Sequence, residues 1–215
     1  MFPKLQTQAR PTNLPPKPRI SLIAHIKFNK KRQFCYHNFM NVYKLNICGL
    51  ERELPIVSIG PLLKIASFNL LGDGELVKKV AESLAEKIKD LDFDYLVGPE
   101  VKVVPLMQEL SNLLKKPRYI ILRKNIMGYM THPISSKTKP GMVLNGPDAE
   151  LIKGKKVLIV DDVVSTGKTI KVVDDLMKEV NARVVGVAAV LKQGEEKVEI
   201  TISFYSLGKL PLFGP

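Results

Sequence analysis

Cysteine is scarce in this chain of 215 residues, with two in all, Cys35 and Cys48. A disulfide framework needs more of them in a smaller chain, so a hydrophobic core must hold the fold, and the length is enough to bury one. Long apolar runs are missing as well. The longest clear one, Val184 to Leu191, is bounded by Arg183 and Lys192. It falls far short of the roughly 18 residues that span a bilayer, which predicts a soluble, cytoplasmic protein with no membrane partner. Acidic residues are absent from Met1 to Leu50, where nine basic residues stand. The whole chain holds 33 basic and 21 acidic side chains for a net +12, so the remainder carries only +3. A balanced body with a basic head disfavours a uniformly basic nucleic-acid-binding surface, and no nucleic-acid partner is expected. At 45% hydrophobic and 25% charged, the composition also excludes global disorder and fibrous repeats.

The first 18 residues contain five prolines (Pro3, Pro11, Pro15, Pro16, Pro18), which remove backbone donors and disfavour helix. From Ile20 to Asn46, apolar residues such as Phe28, Phe34, Tyr36 and Phe39 fall into neither a helical period nor a strand alternation. Three readings of this head compete: a basic nucleic-acid arm, a metal site of His25, Cys35, His37 and Cys48, and a segment outside the functional protein. Lysine runs are usually solvated charge, and the Cys35-x-His37 pair with distant Cys48 matches no common zinc pattern. The third reading is favoured because Met40 stands just before domain-like sequence. The expected division is a basic, Pro-rich segment over 1–39, disordered or not native, and one domain over 40–215 that starts naturally at Met40 and carries only +4.

From Leu54 onward the pattern is regular. Leu76, Val80, Leu84 and Ile88 recur every four residues, with Val77 and Ala81 beside them, which predicts an amphipathic helix. A strand over Phe93 to Val97, a helix over Val103 to Leu114 and a strand over Tyr119 to Leu122 follow. After a long irregular stretch come a strand over Lys156 to Val160, a helix carrying Ile170, Val173, Leu176, Met177 and Val180, and a strand over Val184 to Leu191. Buried strands alternating with amphipathic helices predict an α/β fold, a parallel sheet flanked by helices on both faces.

The most informative segment runs Val157-Leu158-Ile159-Val160-Asp161-Asp162-Val163-Val164-Ser165-Thr166-Gly167-Lys168-Thr169. Ligands of open parallel sheets sit at the carboxyl ends of strands. Backbone N–H groups, three hydroxyls and a helix N-terminus at this turn suit a phosphate dianion. Asp161 and Asp162 would repel that phosphate and make better acceptors for sugar hydroxyls, or distant partners of a magnesium ion. An ATP-binding Walker loop needs a glycine where Asp162 stands, so that reading is rejected.

This segment resembles the phosphoribosyl-pyrophosphate-binding motif of the type I phosphoribosyltransferases: four hydrophobic residues, two acidic ones, two apolar ones, a small residue and Thr-Gly-x-Thr. The resemblance implies a Rossmann-like fold with a small hood and a flexible loop. It assigns Asp161 and Asp162 to the ribose hydroxyls as catalytic residues, and Ser165, Thr166, Gly167, Lys168 and Thr169 to the 5′-phosphate. Gly98-Pro99-Glu100-Val101-Lys102 falls where the family has its pyrophosphate loop, and Arg123-Lys124 is similar to the pair that adenine-type members direct at pyrophosphate. Glu100, Lys102, Arg123 and Lys124 are therefore the expected pyrophosphate site, with Arg123 offering a planar fork and Lys124 a point charge.

Between Asn125 and Glu150 no pattern is sustained, and so long a loop usually has a function. In the family a loop here closes over the site, which excludes water from the donor. Tyr129, His132, Lys137 and Lys139 are the residues that could touch ligand. The implied reaction displaces pyrophosphate from phosphoribosyl pyrophosphate by a ring nitrogen of a purine base, with Mg2+ held mainly by the substrate and no direct protein metal site. The body resembles adenine-type sequences from Leu54 to Phe213, while Ser165 matches neither the alanine of adenine members nor the aspartate of hypoxanthine-guanine members. Phe68 is read equally as a base-stacking ring or as core. Hypoxanthine, guanine or xanthine transfer and a non-catalytic regulator that senses phosphoribosyl pyrophosphate are the competing functions. Family members are commonly homodimers, so a homodimer is expected.

Overall fold

A computed structural model describes residues 41–138, 141–194 and 202–214. The basic head with His25, Cys35 and His37, the expected start at Met40, and Lys139 of the long loop lie outside the described residues. The chain first forms β1 (Val42–Ile47), β2 (Leu50–Gly60) and β3 (Leu63–Ala66), then α1 (Gly74–Ile88), β4 (Tyr95–Pro99), α2 (Val104–Leu113) and β5 (Tyr119–Leu122). It continues through β6 (Ile134–Ser135), β7 (Val143–Leu144), α3 (Gly146–Ile152), β8 (Lys156–Val164), α4 (Lys168–Glu179), β9 (Arg183–Gln193), β10 (Phe204–Leu210) and β11 (Leu212–Phe213).

Five strands form a sheet in the order β10-β9-β8-β4-β5, and every pair in it is parallel. The alternation of side chains along a strand splits the core in two. Leu158 and Val160 join Leu76, Val80, Leu84, Leu106 and Leu110 beneath α1 and α2. Val157 and Ile159 join Ile152, Ile170, Val173 and Leu176 beneath α3 and α4. The expected α/β sheet covered on both faces is thus the fold. After β4 the chain crosses through α2 to β5, then returns to place β8 on the other side of β4. Reversed travel with right-handed crossovers puts α2 and α4 on opposite faces, and the gap between β4 and β8 is the switch point where such sheets bind ligands.

A second sheet, β1-β2-β3-β11, is the expected hood. β1 and β2 form a hairpin in which Ile47 pairs with Leu50, and its two turn residues, Cys48 and Gly49, have φ of 53° and 78°, as a tight twisted hairpin requires. No strand is expected before Leu54 on the sequence pattern, yet β1 buries Leu45 and Ile47. Arg52 of β2 reaches the start of α1, with Nε 2.7 Å from Asp73 Oδ2 and Nη2 2.7 Å from Glu75 Oε2. Asp73 also caps α1 by accepting from the Leu76 N–H at 3.0 Å.

The stretch read as an irregular loop is partly ordered. Ile134 pairs with Leu144 in the β6–β7 ribbon, and α3 begins at Gly146. At the base of this loop the Gly146 N–H donates to the Thr131 carbonyl at 3.0 Å, and the Thr131 N–H donates to Asn145 Oδ1 at 3.0 Å. Among the described residues no helix is long and apolar enough to cross a membrane.

Candidate active site

The expected phosphate loop lies at the carboxyl end of β8. Asp161, Ser165, Thr166, Gly167, Lys168 and Thr169 line a cavity of about 120 Å³, a volume suited to one phosphate group rather than a whole nucleotide. Gly167 precedes α4 with φ of 86°, a left-handed conformation that costs an L side chain roughly 1–2 kcal/mol. That turn aims the first N–H groups of α4 into the cavity.

Asp161 and Asp162 are not beyond the strand, as their sequence position suggests, but within it: Asp161 pairs with Ala189 of β9. Successive strand residues face opposite ways, so Asp161 lines that small cavity while Asp162 turns toward Lys102, whose Nζ is 3.9 Å from Asp162 Oδ2. Asp161 is 8% exposed. Burial, and then the neighbouring Asp162 charge, push its carboxyl up to about 8. Its Oδ1 accepts from the Asp162 N–H at 2.9 Å, and Asp162 Oδ1 accepts from the Val163 N–H at 2.9 Å.

Across the switch point, the loop after β4 meets the end of β5. Glu100 Oε1 accepts from the Lys124 backbone N–H at 2.8 Å, and Oε2 lies 2.9 Å from Arg123 Nε. Gly98 brings β4 against β8, where a Cβ would stand 2.8 Å from the Val160 carbonyl oxygen. Lys102 also donates to the Phe68 carbonyl at 3.0 Å, so its ammonium is shared between the hood and the aspartate pair.

Phe68 itself is 2% exposed and packs in the core. That placement favours the core reading over base stacking, because its ring would have to leave the core to meet a base. Lys137, one of the loop residues that could touch ligand, lies away from the small cavity. Its Nζ lies 3.8 Å from Glu179, the last residue of α4, about 16 Å along the helix from the phosphate loop at 1.5 Å per residue. Tyr129 is 67% exposed, and His132 has φ of 48°.

One residue went unnoticed in the sequence. Lys192 is 8% exposed at the end of β9, opposite Val164, and donates to the carbonyls of Gln193 at 3.3 Å and Gly194 at 2.5 Å. It closes the apolar run and reads there as a boundary charge. By alternation it shares a face with Ala188 and Val190, the face packed against the hood's Leu45, Leu54 and Phe68.

The phosphoribosyl transferase domain family matches residues 69–212, which spans every element of the site. The chain belongs to that family. It is 34% identical over 119 residues to the adenine phosphoribosyltransferase of Petrotoga mobilis, covering 55% of this chain and 69% of the relative. It is 32% identical over 134 residues to the hypoxanthine/guanine phosphoribosyltransferase of Methanothermococcus okinawensis, covering 60% and 70%. The adenine phosphoribosyltransferase structure from Thermoanaerobacter pseudethanolicus superposes with a TM-score of 0.57 at 20% identity, covering 78% of this chain and 95% of that one. That from Trypanosoma brucei, in complex with AMP, pyrophosphate and ribose-5-phosphate, gives 0.53 at 18% identity over 65% and 67%. Both are likenesses of fold. The phosphoribosyltransferase fold and enzyme class expected from the residues are therefore those of the chain.

Proposed function

We propose that this phosphoribosyltransferase moves the phosphoribosyl group of phosphoribosyl pyrophosphate to a purine base, with adenine the preferred acceptor, releasing the nucleoside monophosphate and pyrophosphate in purine salvage. The observation that carries the reading is the meeting of two unlike sites at one switch point: the small cavity at the start of α4 and the Glu100, Arg123 and Lys124 cluster at the ends of β4 and β5. A sugar bearing a phosphate at one end and a pyrophosphate at the other bridges two such sites. Asp161 and Asp162 would accept from the ribose hydroxyls between them. Lys102, Arg123 and Lys124 would stabilise charge on the leaving group, and holding both ends of the donor aligns C1 for attack.

Magnesium suits this arrangement when held mainly by the donor. The two aspartates are acceptors within one strand, and among the described residues no group of three or more His, Cys, Asp or Glu is placed to hold a metal. Magnesium keeps several waters and takes one or two carboxylates together with substrate oxygens; bound, it would neutralise pyrophosphate charge.

The acceptor preference rests on the names of the relatives, which include both adenine and hypoxanthine/guanine enzymes. A 6-oxopurine is the second reading: an ammonium only donates, so Lys192, if it met the acceptor, would suit the exocyclic carbonyl oxygen of an oxopurine and not the exocyclic amine of adenine. The test is to supply magnesium, phosphoribosyl pyrophosphate and each of adenine, hypoxanthine, guanine and xanthine, following pyrophosphate release. Fastest release with adenine supports the proposal, and fastest release with an oxopurine supports the second reading. Tight donor binding with no turnover on any base would overturn both.

A further inference from the structure

Glu100 stands among the cations expected to meet pyrophosphate, yet a carboxylate can only accept hydrogen bonds and would repel that anion. Both of its oxygens already have donors. Oε1 takes the Lys124 N–H at 2.8 Å, and Oε2 lies 2.9 Å from Arg123 Nε, with the Glu100 side chain 18% exposed. The backbone closes the same corner, since the Glu100 N–H donates to the Leu122 carbonyl at 2.8 Å and Arg123 exchanges hydrogen bonds of 2.9 and 2.7 Å with Val143 of β7.

The manner of contact with Arg123 is informative. Glu100 engages Nε, an atom buried from water whose N–H is not aimed at a partner, so the contact is an ion pair more than an aligned hydrogen bond. The ion pair with Glu100 has its contact at Nε, and among the described residues no side-chain hydrogen bond runs from the two Nη groups of Arg123. The fork edge of a guanidinium is the edge that binds phosphate oxygens bidentately. Held at Nε, Arg123 keeps that edge available, and the Lys124 backbone is held at the same carboxylate.

From this geometry we infer that Glu100 is a positioning residue: it fixes Arg123 by Nε and Lys124 by its backbone so that both cations are set for the leaving pyrophosphate, which Glu100 itself does not touch. The inference rests on the proposed transfer reaction for its purpose, but its test does not need turnover. Magnesium pyrophosphate binding and ribose 5-phosphate binding are measured calorimetrically for wild type, Glu100→Ala, Glu100→Gln and Glu100→Asp. The Ala and Gln variants should bind pyrophosphate about tenfold more weakly, the scale of a lost charge-assisted contact. Ribose 5-phosphate affinity should stay unchanged, which reports an intact fold and phosphate loop, and Asp should restore part of the loss. The Arg123 Nε–H resonance, assigned by its disappearance in Arg123→Lys, should be protected from solvent exchange in wild type and lose that protection in Glu100→Ala.

Pyrophosphate binding as tight as wild type, or tighter, in Glu100→Ala would overturn the inference, the tighter result marking Glu100 as a competing anion. A wild-type protein that shows the expected pyrophosphate dependence on Glu100 but turns over no base would instead overturn the proposed reaction and leave the role of Glu100 standing.

Discussion

Lys102 Nζ lies 3.0 Å from the Phe68 carbonyl oxygen and 3.9 Å from Asp162 Oδ2, so one ammonium ties the hood to the aspartate pair. A donor pyrophosphate would compete for that ammonium with both partners. Lys102→Met should lower kcat/KM for phosphoribosyl pyrophosphate by about tenfold, the scale of one charged hydrogen bond. Because the lysine side chain is 49% exposed, unfolding stability should change by less than about 1 kcal/mol. Steady-state kinetics with a thermal melt check the pair of outcomes.

Asp161 gives a pH dependence of definite sign. Its ordinary value is 3.8, and burial with the Asp162 charge pushes it up to about 8. Between those values the folded protein keeps a proton that the unfolded chain releases, so this group makes stability fall as pH rises through the window and level off above it. Asp161→Asn should raise Tm by more near pH 8 than near pH 4, while donor use collapses. Thermal melts across that range check it, and an equal change at both ends would contradict the assignment.

Gly98 is required by close approach rather than by its dihedral angles. An alanine Cβ would meet the Val160 carbonyl oxygen at 2.8 Å and Val103 Cγ1 at 3.1 Å. Gly98→Ala should force β4 away from β8 and cost roughly 1–3 kcal/mol, measured by denaturant unfolding, with activity falling as the two halves of the site separate.

Arg52 holds Asp73 below the ordinary carboxylate value, chiefly through their hydrogen bond. That stabilisation is present above the ordinary pKa and is lost as pH falls through the lowered folded value. Arg52→Ala should therefore lower Tm at neutral pH and flatten its decline in acid, as melts from pH 7 downward would show.

Lys192→Met keeps the bulk of a buried side chain and removes its donor. Hypoxanthine turnover should fall about tenfold more than adenine turnover if this ammonium reads the 6-carbonyl oxygen. Equal losses on both bases would remove the support Lys192 gives to an oxopurine.

Four strands of the central sheet were legible because β4, β8 and β9 are almost wholly buried and the helices keep one apolar stripe, whereas the half-buried edge strand β10 was not read. Leu76, Val80, Leu84 and Ile88 are all at or below 1% exposure, as their four-residue spacing implies. The small cavity at the turn from β8 to α4 was legible because its residues are local to thirteen neighbouring positions. The hood was not. Its first hairpin turns on Cys48-Gly49, which lacks the Asn or Asp that usually announces such a turn, and β1 begins only two residues beyond Met40, next to patternless sequence. For Lys137 and Glu100 the sequence shows the charge but not its neighbour: Glu179 beside the one and Arg123 beside the other are long-range facts.

β11 pairs with β3 through Leu212 and Ile65, while β1 to β3 come from the opposite end of the described chain. The hood is therefore not a cassette. Grafting residues 41–66 from a relative with another base preference would leave the recipient's own Leu212–Phe213 as its neighbour, so a working chimaera must exchange both segments together. Bulky fusions after Phe213 would likewise crowd the edge of the hood sheet, where β11 lies.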